Sequence, residues 1–228
     1  MTRRPAHPIL RPLQARYLER LRPRVDGLRA EMEALAAREG IPIASPDLAR
    51  LLEALAAIEP AAKVLEVGTA IGYGTLHLAR GAALGRVTTI DLDAERLAAA
   101  GGFLARAGVA DRVELVEGAA LEVIDRLEGP FDLVFLDGPK GEYRRTLDLV
   151  LPKTRLGGRI VVDNLLWKGR IGDPALRSGA DPDADAIERF NPYFVIHPQL
   201  ATVVLPLGDG VGLAVKRRVT RRELGGPF

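Results

Sequence analysis

Cysteine is absent from this 228-residue chain. That excludes disulfides, zinc–thiolate sites, iron–sulfur clusters and cysteine nucleophiles. Aromatic residues are scarce, at 5 %, and Trp167 is the only tryptophan. The three histidines, His7, His77 and His197, lack the spacing of a metal site or a catalytic triad. Lysine is nearly displaced by arginine, five residues against 27. No apolar run approaches membrane-spanning length. The arginine- and proline-rich residues 1–24 contain no signal-peptide core, so the expectation is a cytoplasmic protein with no membrane partner. Neither sign of charge dominates: 32 basic and 30 acidic residues leave +2. The pI of 9.1 comes from near-cancellation and argues only weakly for nucleic acid. What is present, 47 % apolar and 27 % charged residues, is the balance of a folded protein long enough to bury a continuous core.

Three regions differ in character, and there is no internal repeat. Residues 1–44 read as a helical arm, split by Pro23 into two helices and stopped by Gly40. Val25, Leu28, Met32 and Leu35, with Leu18 and Leu21 before them, form a narrow apolar seam. Such a seam serves as a cap over the domain's own core, as a dimerisation arm, or as a mixture of both. Residues 45–218 alternate strand and helix. A capped helix starts at Ser45-Pro46-Asp47. Strand-like runs follow at 64–68, 86–91, 113–117, 131–137 and 159–163. Helical patterns separate them, for example Tyr143, Leu147, Val150 and Leu151. This alternation predicts parallel strands with crossover helices, and the near-continuous apolar runs predict a sheet covered on both faces. A polar segment, 172–185, leads to a helix around 186–190. Strands at 201–207 and 210–216 flank the turn signal Gly208-Asp209 and predict an edge hairpin. Residues 219–228, with Arg221 and Arg222, make a basic tail that reads as a solvated end.

In open parallel α/β sheets, ligands sit outside the carboxyl ends of the strands. Here those ends carry Glu66 and Gly68, Asp91, Glu117, Asp137, and Asp163 with Asn164. So many acids need a cation, or a ligand with hydroxyls and a positive centre, to offset their repulsion. The loop after the first strand reads G-x-x-x-G-x-G over 68–74, not the G-x-G-x-x-G of dinucleotide binders. Its glycines let backbone approach a ligand closely. Asp91, 23 residues after Gly68, can accept hydrogen bonds from ribose hydroxyls. Glu66 beside this loop would oppose a pyrophosphate and favour a cationic ligand. That points to S-adenosylmethionine rather than NAD.

Four motifs, in order and spacing, resemble those of the cation-dependent O-methyltransferases, the family of catechol and caffeoyl-CoA O-methyltransferases. They are Val64-Leu-Glu-Val-Gly-Thr-Ala-Ile-Gly-Tyr-Gly-Thr75, Phe135-Leu-Asp-Gly-Pro-Lys140, Val162-Asp-Asn-Leu-Leu-Trp167 and Pro206-Leu-Gly-Asp-Gly210. The resemblance spans residues 45–217. It implies a Rossmann-like, seven-stranded, mostly parallel sheet with helices on both faces, a C-terminal antiparallel hairpin and an N-terminal helical extension. Outside the resemblance, the apolar seam of the arm gives the expectation of a homodimer paired through the N-terminal helices.

By motif position, the resemblance places S-adenosylmethionine against Glu66, Gly68, Thr69, Gly74, Asp91, Ala120 and Asp137. It places a divalent cation on Asp137, Asp163 and Asn164. Two carboxylates and a carboxamide suit Mg²⁺, with Ca²⁺ or Mn²⁺ as alternatives, and not Zn²⁺. Lys140 becomes the base for the acceptor hydroxyl; lysine, unlike arginine, can lose its proton, and a nearby cation disfavours the ammonium. Trp167 reads as an aromatic wall for a flat acceptor or as core. There are departures. Gly74 stands where relatives usually carry Ser. Gly138-Pro139 replaces residues that include a substrate-touching acid in the plant CoA-ester enzymes, and Lys168 stands where those enzymes have Asn. The implied activity is methyl transfer to a vicinal hydroxyl of a small catechol-like or phenylpropanoid-like acceptor. Transfer to hydroxyuridine in tRNA is the alternative, with an NAD-binding oxidoreductase behind it. A non-catalytic donor-binding scaffold is disfavoured by Lys140 beside all three ligands.

Overall fold

A computed structural model describes residues 12–173 and 180–219. The first eleven residues, residues 174–179 and the basic tail from 220, with Arg221 and Arg222, lie outside the described residues. The strands are β1 (Lys63–Val67), β2 (Arg86–Asp91), β3 (Val113–Glu117), β4 (Phe131–Leu136), β5 (Thr154–Val162), β6 (Leu200–Leu205) and β7 (Val211–Lys216). They form a seven-stranded sheet in the order β3-β2-β1-β4-β5-β7-β6. Strands β1 to β5 run parallel. β7 is antiparallel to β5, and β6 to β7, so the hairpin forms the edge as expected. β1 has β2 on one side and β4 on the other. The winding therefore reverses between β1 and β4, and a crevice opens at their carboxyl ends.

Side chains alternate across each strand, so neighbouring residues serve opposite layers. One face carries α2 (Gly27–Glu39), α3 (Pro46–Ala57), α4 (Tyr73–Gly81) and α5 (Ala94–Arg106). Met32, Leu48, Leu52, Leu76 and Phe103 pack there on Val64, Val87 and Leu133. The other carries α6 (Ala120–Arg126), α7 (Tyr143–Lys153) and α8 (Pro182–Val195). Ile124, Leu147, Phe190 and Phe194 pack there on Leu65, Val134 and Ile160.

Within the arm, α1 (Pro12–Leu21) and α2 fall on either side of Pro23. Asp26 caps α2 by accepting from the Arg29 N–H at 2.9 Å, and Gly40 stops it at φ +65°. The seam divides in burial. Met32 is buried, and Leu28 and Leu35 pack against the core. Leu18, Leu21 and Val25 remain exposed. Two elements outrun their sequence patterns. β5 begins at Thr154 rather than 159, because Thr154 pairs with Phe131 ahead of a register irregularity. α8 starts at Pro182, capped by Asp181, and continues past Pro192 to Val195. Among the described residues no helix is long and apolar enough to cross a membrane.

Candidate active site

The crevice is built first by backbone. Gly68 follows β1 at φ +98°, and a Cβ there would lie 2.5 Å from the Asp137 carbonyl oxygen. Only glycine admits that approach of the β1 and β4 ends. The Asp137 N–H donates to Val67 O at 2.8 Å, and the Gly68 N–H to Ile90 O at 2.9 Å. Asp91 ends β2 with both oxygens oriented: one accepts from the Ala70 N–H at 2.8 Å, the other from the Asp93 N–H at 3.1 Å. Asp91, Leu92, Gly118, Ala120 and Pro139 border a cavity of about 200 Å³.

Glu66 is buried within β1. Its Oε2 accepts from the Thr75 hydroxyl and, at 2.7 Å, from the Thr89 hydroxyl. Thr89 in turn shares a 2.6 Å hydrogen bond with Thr69. Burial pushes the Glu66 carboxyl up to about 8, although the two hydroxyls pull it down. A Cβ at residue 74 would lie 2.5 Å from Glu66 Oε1, so the glycine there leaves room for this carboxyl. Glu66, Gly68, Thr69, Gly74 and Asp137 meet around a tight cleft of about 10 Å³. Its far wall is the α2–α3 link, Pro42 to Ala44, which sequence reasoning did not place here.

A larger cavity of about 570 Å³ opens beyond Asp137. Lys140, Asp163, Asn164, Trp167 and Lys168 line it with Asp137. The ends of β4 and β5 are tied by the Asp163 N–H to Leu136 O at 3.1 Å. Lys140 Nζ donates to Asp137 Oδ1 and to the Tyr143 hydroxyl, each at 2.8 Å. That hydroxyl donates to Asp163 O at 3.1 Å, so Tyr143 braces the lysine against the next strand. Burial raises Asp137 above the usual carboxylate range, against the pull of Lys140. Burial, then repulsion from Asp137, pushes Asp163 up to about 7. Asn164 sits just past β5 at φ +62°. The chain has left the strand there, so adjacent residues 163 and 164 escape the alternation of faces that a strand imposes.

Trp167 is half-buried. It lines the cavity, while its Nε1–H donates to both oxygens of Asp181 at 3.1 Å. The Lys168 ammonium lies 4.8 Å from its ring centre. Asp183 and Asp209 also face this cavity. Asp181, Asp183 and Asp209 come from segments distant in sequence, and among them only Asp209 sat in a motif that the sequence had marked. Among the described residues no three His, Cys, Asp or Glu side chains gather to hold a metal ion. A cation site therefore depends on the Asn164 carboxamide joining the two acids. The donor chemistry fits: buried Asp163 and half-buried Asp137 repel each other and have one ammonium between them, a deficit of positive charge that a hard divalent ion would relieve.

These features define a Rossmann-like α/β protein whose crevice joins a compartment flanked by the β2 acid to an acid-and-lysine compartment. The sequence profile of the O-methyltransferase family matches residues 27–217, and the chain belongs to that family. A catechol O-methyltransferase from Mycobacterium tuberculosis is 41 % identical over 170 residues, covering 72 % of this chain and 76 % of that one. A caffeoyl-CoA O-methyltransferase from Eucalyptus globulus is 30 % identical over 187 residues, with 77 % and 74 % covered. The crystal structure of an O-methyltransferase from Bacillus cereus in complex with SAH superposes with a TM-score of 0.79 at 28 % identity, covering 90 % and 97 %.

Proposed function

We propose that this chain transfers the methyl group of S-adenosylmethionine to one of two vicinal hydroxyls on a small catechol-like or phenylpropanoid-like acceptor, with a divalent cation, Mg²⁺ first, as cofactor. One observation carries the reading: Asp137, Lys140, Asp163 and Asn164 line one cavity directly beside the Asp91 compartment. The family membership, the relatives named for catechol and caffeoyl-CoA, and the SAH complex support it.

Asp91, with both oxygens already turned by backbone N–H donors, takes the ribose hydroxyls. Gly68, Thr69, Gly74 and Glu66 receive the methionine end, and Ala120 borders the adenine. A divalent cation held by Asp137, Asp163 and Asn164 would make the acceptor hydroxyls more acidic and fix their position. Lys140 Nζ takes the hydroxyl proton. The O–CH₃ bond then forms as the S–CH₃ bond breaks, and the sulfonium becomes a thioether. Apart from that proton, the protein's contribution is alignment and charge placement. Trp167 and Lys168 border the acceptor. We further propose a homodimer paired through α1, whose Leu13, Tyr17, Leu18 and Leu21 are exposed.

Isothermal titration with S-adenosylmethionine and with NAD, followed by a methyl-transfer screen on catechols, caffeoyl esters and undermodified tRNA, tests the reading. Binding of the sulfonium donor alone, with transfer to a vicinal diol, is the expected result. NAD binding, or transfer to tRNA only, overturns it.

A further inference from the structure

The turn between β6 and β7 grips the loop that follows β5. The Leu165 N–H donates to Gly210 O at 2.9 Å, and the Leu166 N–H to Asp209 O at 2.8 Å. The Asp209 carboxylate adds two bonds of its own. Oδ1 accepts from the Lys168 N–H at 2.6 Å, and Oδ2 accepts from Asn164 Nδ2 at 3.3 Å. The gripped loop holds three non-glycine residues at positive φ: Asn164 (62°), Trp167 (42°) and Lys168 (56°). Such a backbone persists only where its surroundings over-determine it.

The contact with Asn164 has a direction. A carboxamide has a donor end and an acceptor end, and a carboxylate can only accept. With Asp209 beside it, Asn164 must turn its NH₂ toward Asp209, since the flipped amide would set oxygen against oxygen. Its oxygen then occupies the other branch. The two ends are not equivalent toward a cation, because only the oxygen is a ligand for a hard ion.

We infer that Asp209 is a positioning residue for the cation: by holding Nδ2 of Asn164, it selects the amide orientation that offers Oδ1 to the ion. The inference rests on the cation reading given above. It assigns Asp209 no contact with the ion or the substrate. It also makes a distinction that a purely structural role does not. An aspartate at 164 has two equivalent oxygens and nothing to orient. Substituting Asn164→Asp should therefore remove the loss of cation affinity on changing residue 209, where neutralising Asp209 instead relieves a like-charge repulsion.

The test is a titration of Mn²⁺ into the full chain, followed by calorimetry and by emission of Trp167, the only tryptophan, which sits on the same loop. Wild type, Asp209→Asn, Asp209→Ser, Asn164→Asp and the two double variants are compared, with a thermal melt of each. Asp209→Asn keeps one acceptor for the Lys168 N–H, so at least one folded variant remains. We expect either substitution at 209 to weaken Mn²⁺ about 10- to 100-fold, the usual loss when a ligand's hydrogen-bond partner is removed. In the Asn164→Asp background the same change should cost less than about threefold, the mark of coupling between neighbours. Unchanged Mn²⁺ affinity at 209, or an equal loss in both backgrounds, overturns the inference and leaves the cation reading standing. No Mn²⁺ binding by wild type overturns the cation reading and this inference with it.

Discussion

As the proposed base, Lys140 has no substitute at its position. Its ammonium is held between Asp137 and Tyr143, and arginine, which cannot shed its proton, would fail in its place. Lys140→Ala and Lys140→Arg should both lower transfer by about 10²- to 10⁴-fold, the scale of a lost general base. Binding of S-adenosylmethionine by calorimetry should be unchanged; loss of donor binding would make the lysine structural. Glu66 yields a pH signature. Folded, its carboxyl sits at about 8, against 4.5 when exposed. Between those values the folded chain keeps a proton that the unfolded chain has released. The contribution of Glu66 is therefore whole below about pH 4.5 and is lost as pH rises through 8. Glu66→Gln cannot ionise, so the wild-type melting temperature should fall relative to the variant between pH 5 and 8.5. Parallel pH profiles would contradict the buried, proton-bearing Glu66, whose carboxyl, contrary to the charge read from sequence, is neutral at pH 7 until a cationic ligand draws the proton off. The acids at strand ends were legible in sequence because parallel sheets bind ligands there. The contacts of Asp209, although it lay in a marked motif, and of Asp181 were not. Each acts on a residue brought near only by folding, Asn164 45 positions away and Trp167 14 away.

At the scale of elements, α3 and α4 show how tightly the layer behind the glycine loop is set. Gly81 closes α4 against α3, and a Cβ there would fall 2.2 Å from Glu53 O and 2.7 Å from Ala56 Cβ. Gly81→Ala should destabilise the fold by about 1–3 kcal/mol, the range for overpacking, as read by urea unfolding. A neutral or stabilising effect would mean that the helices separate easily. The same pair holds buried His77, whose Nδ1 lies 2.6 Å from Glu53. β2 and β3 match their sequence runs end to end, because each is an unbroken run between clear stops. The first residues of β5, Thr154 to Gly158, were not legible. They include Gly157 and Gly158, and of them Thr154 alone is in register with β4, opposite Phe131. α8 was under-read because prolines stand at its start and inside it, where sequence patterns end helices.

For the whole molecule, the arm carries the proposed pairing with a second copy. α2 is part of the core, whereas α1 shows Leu13 at 71 % and Leu21 at 58 % exposure. Sedimentation at micromolar concentration should give a dimer for the wild type and a monomer for Tyr17→Glu with Leu21→Glu. A monomeric wild type would remove the pairing proposal and leave the active site untouched, since no site residue comes from α1. In the proposed mechanism, the repelling carboxyls of Asp137 and Asp163, with the Asn164 carboxamide, take up a divalent ion before Lys140 acts as base. The direct measurement is transfer of labelled methyl from S-adenosylmethionine to a catechol, first with EDTA and then with excess Mg²⁺. Loss of transfer in chelator and its return with Mg²⁺ is the predicted result; full transfer in EDTA would contradict it.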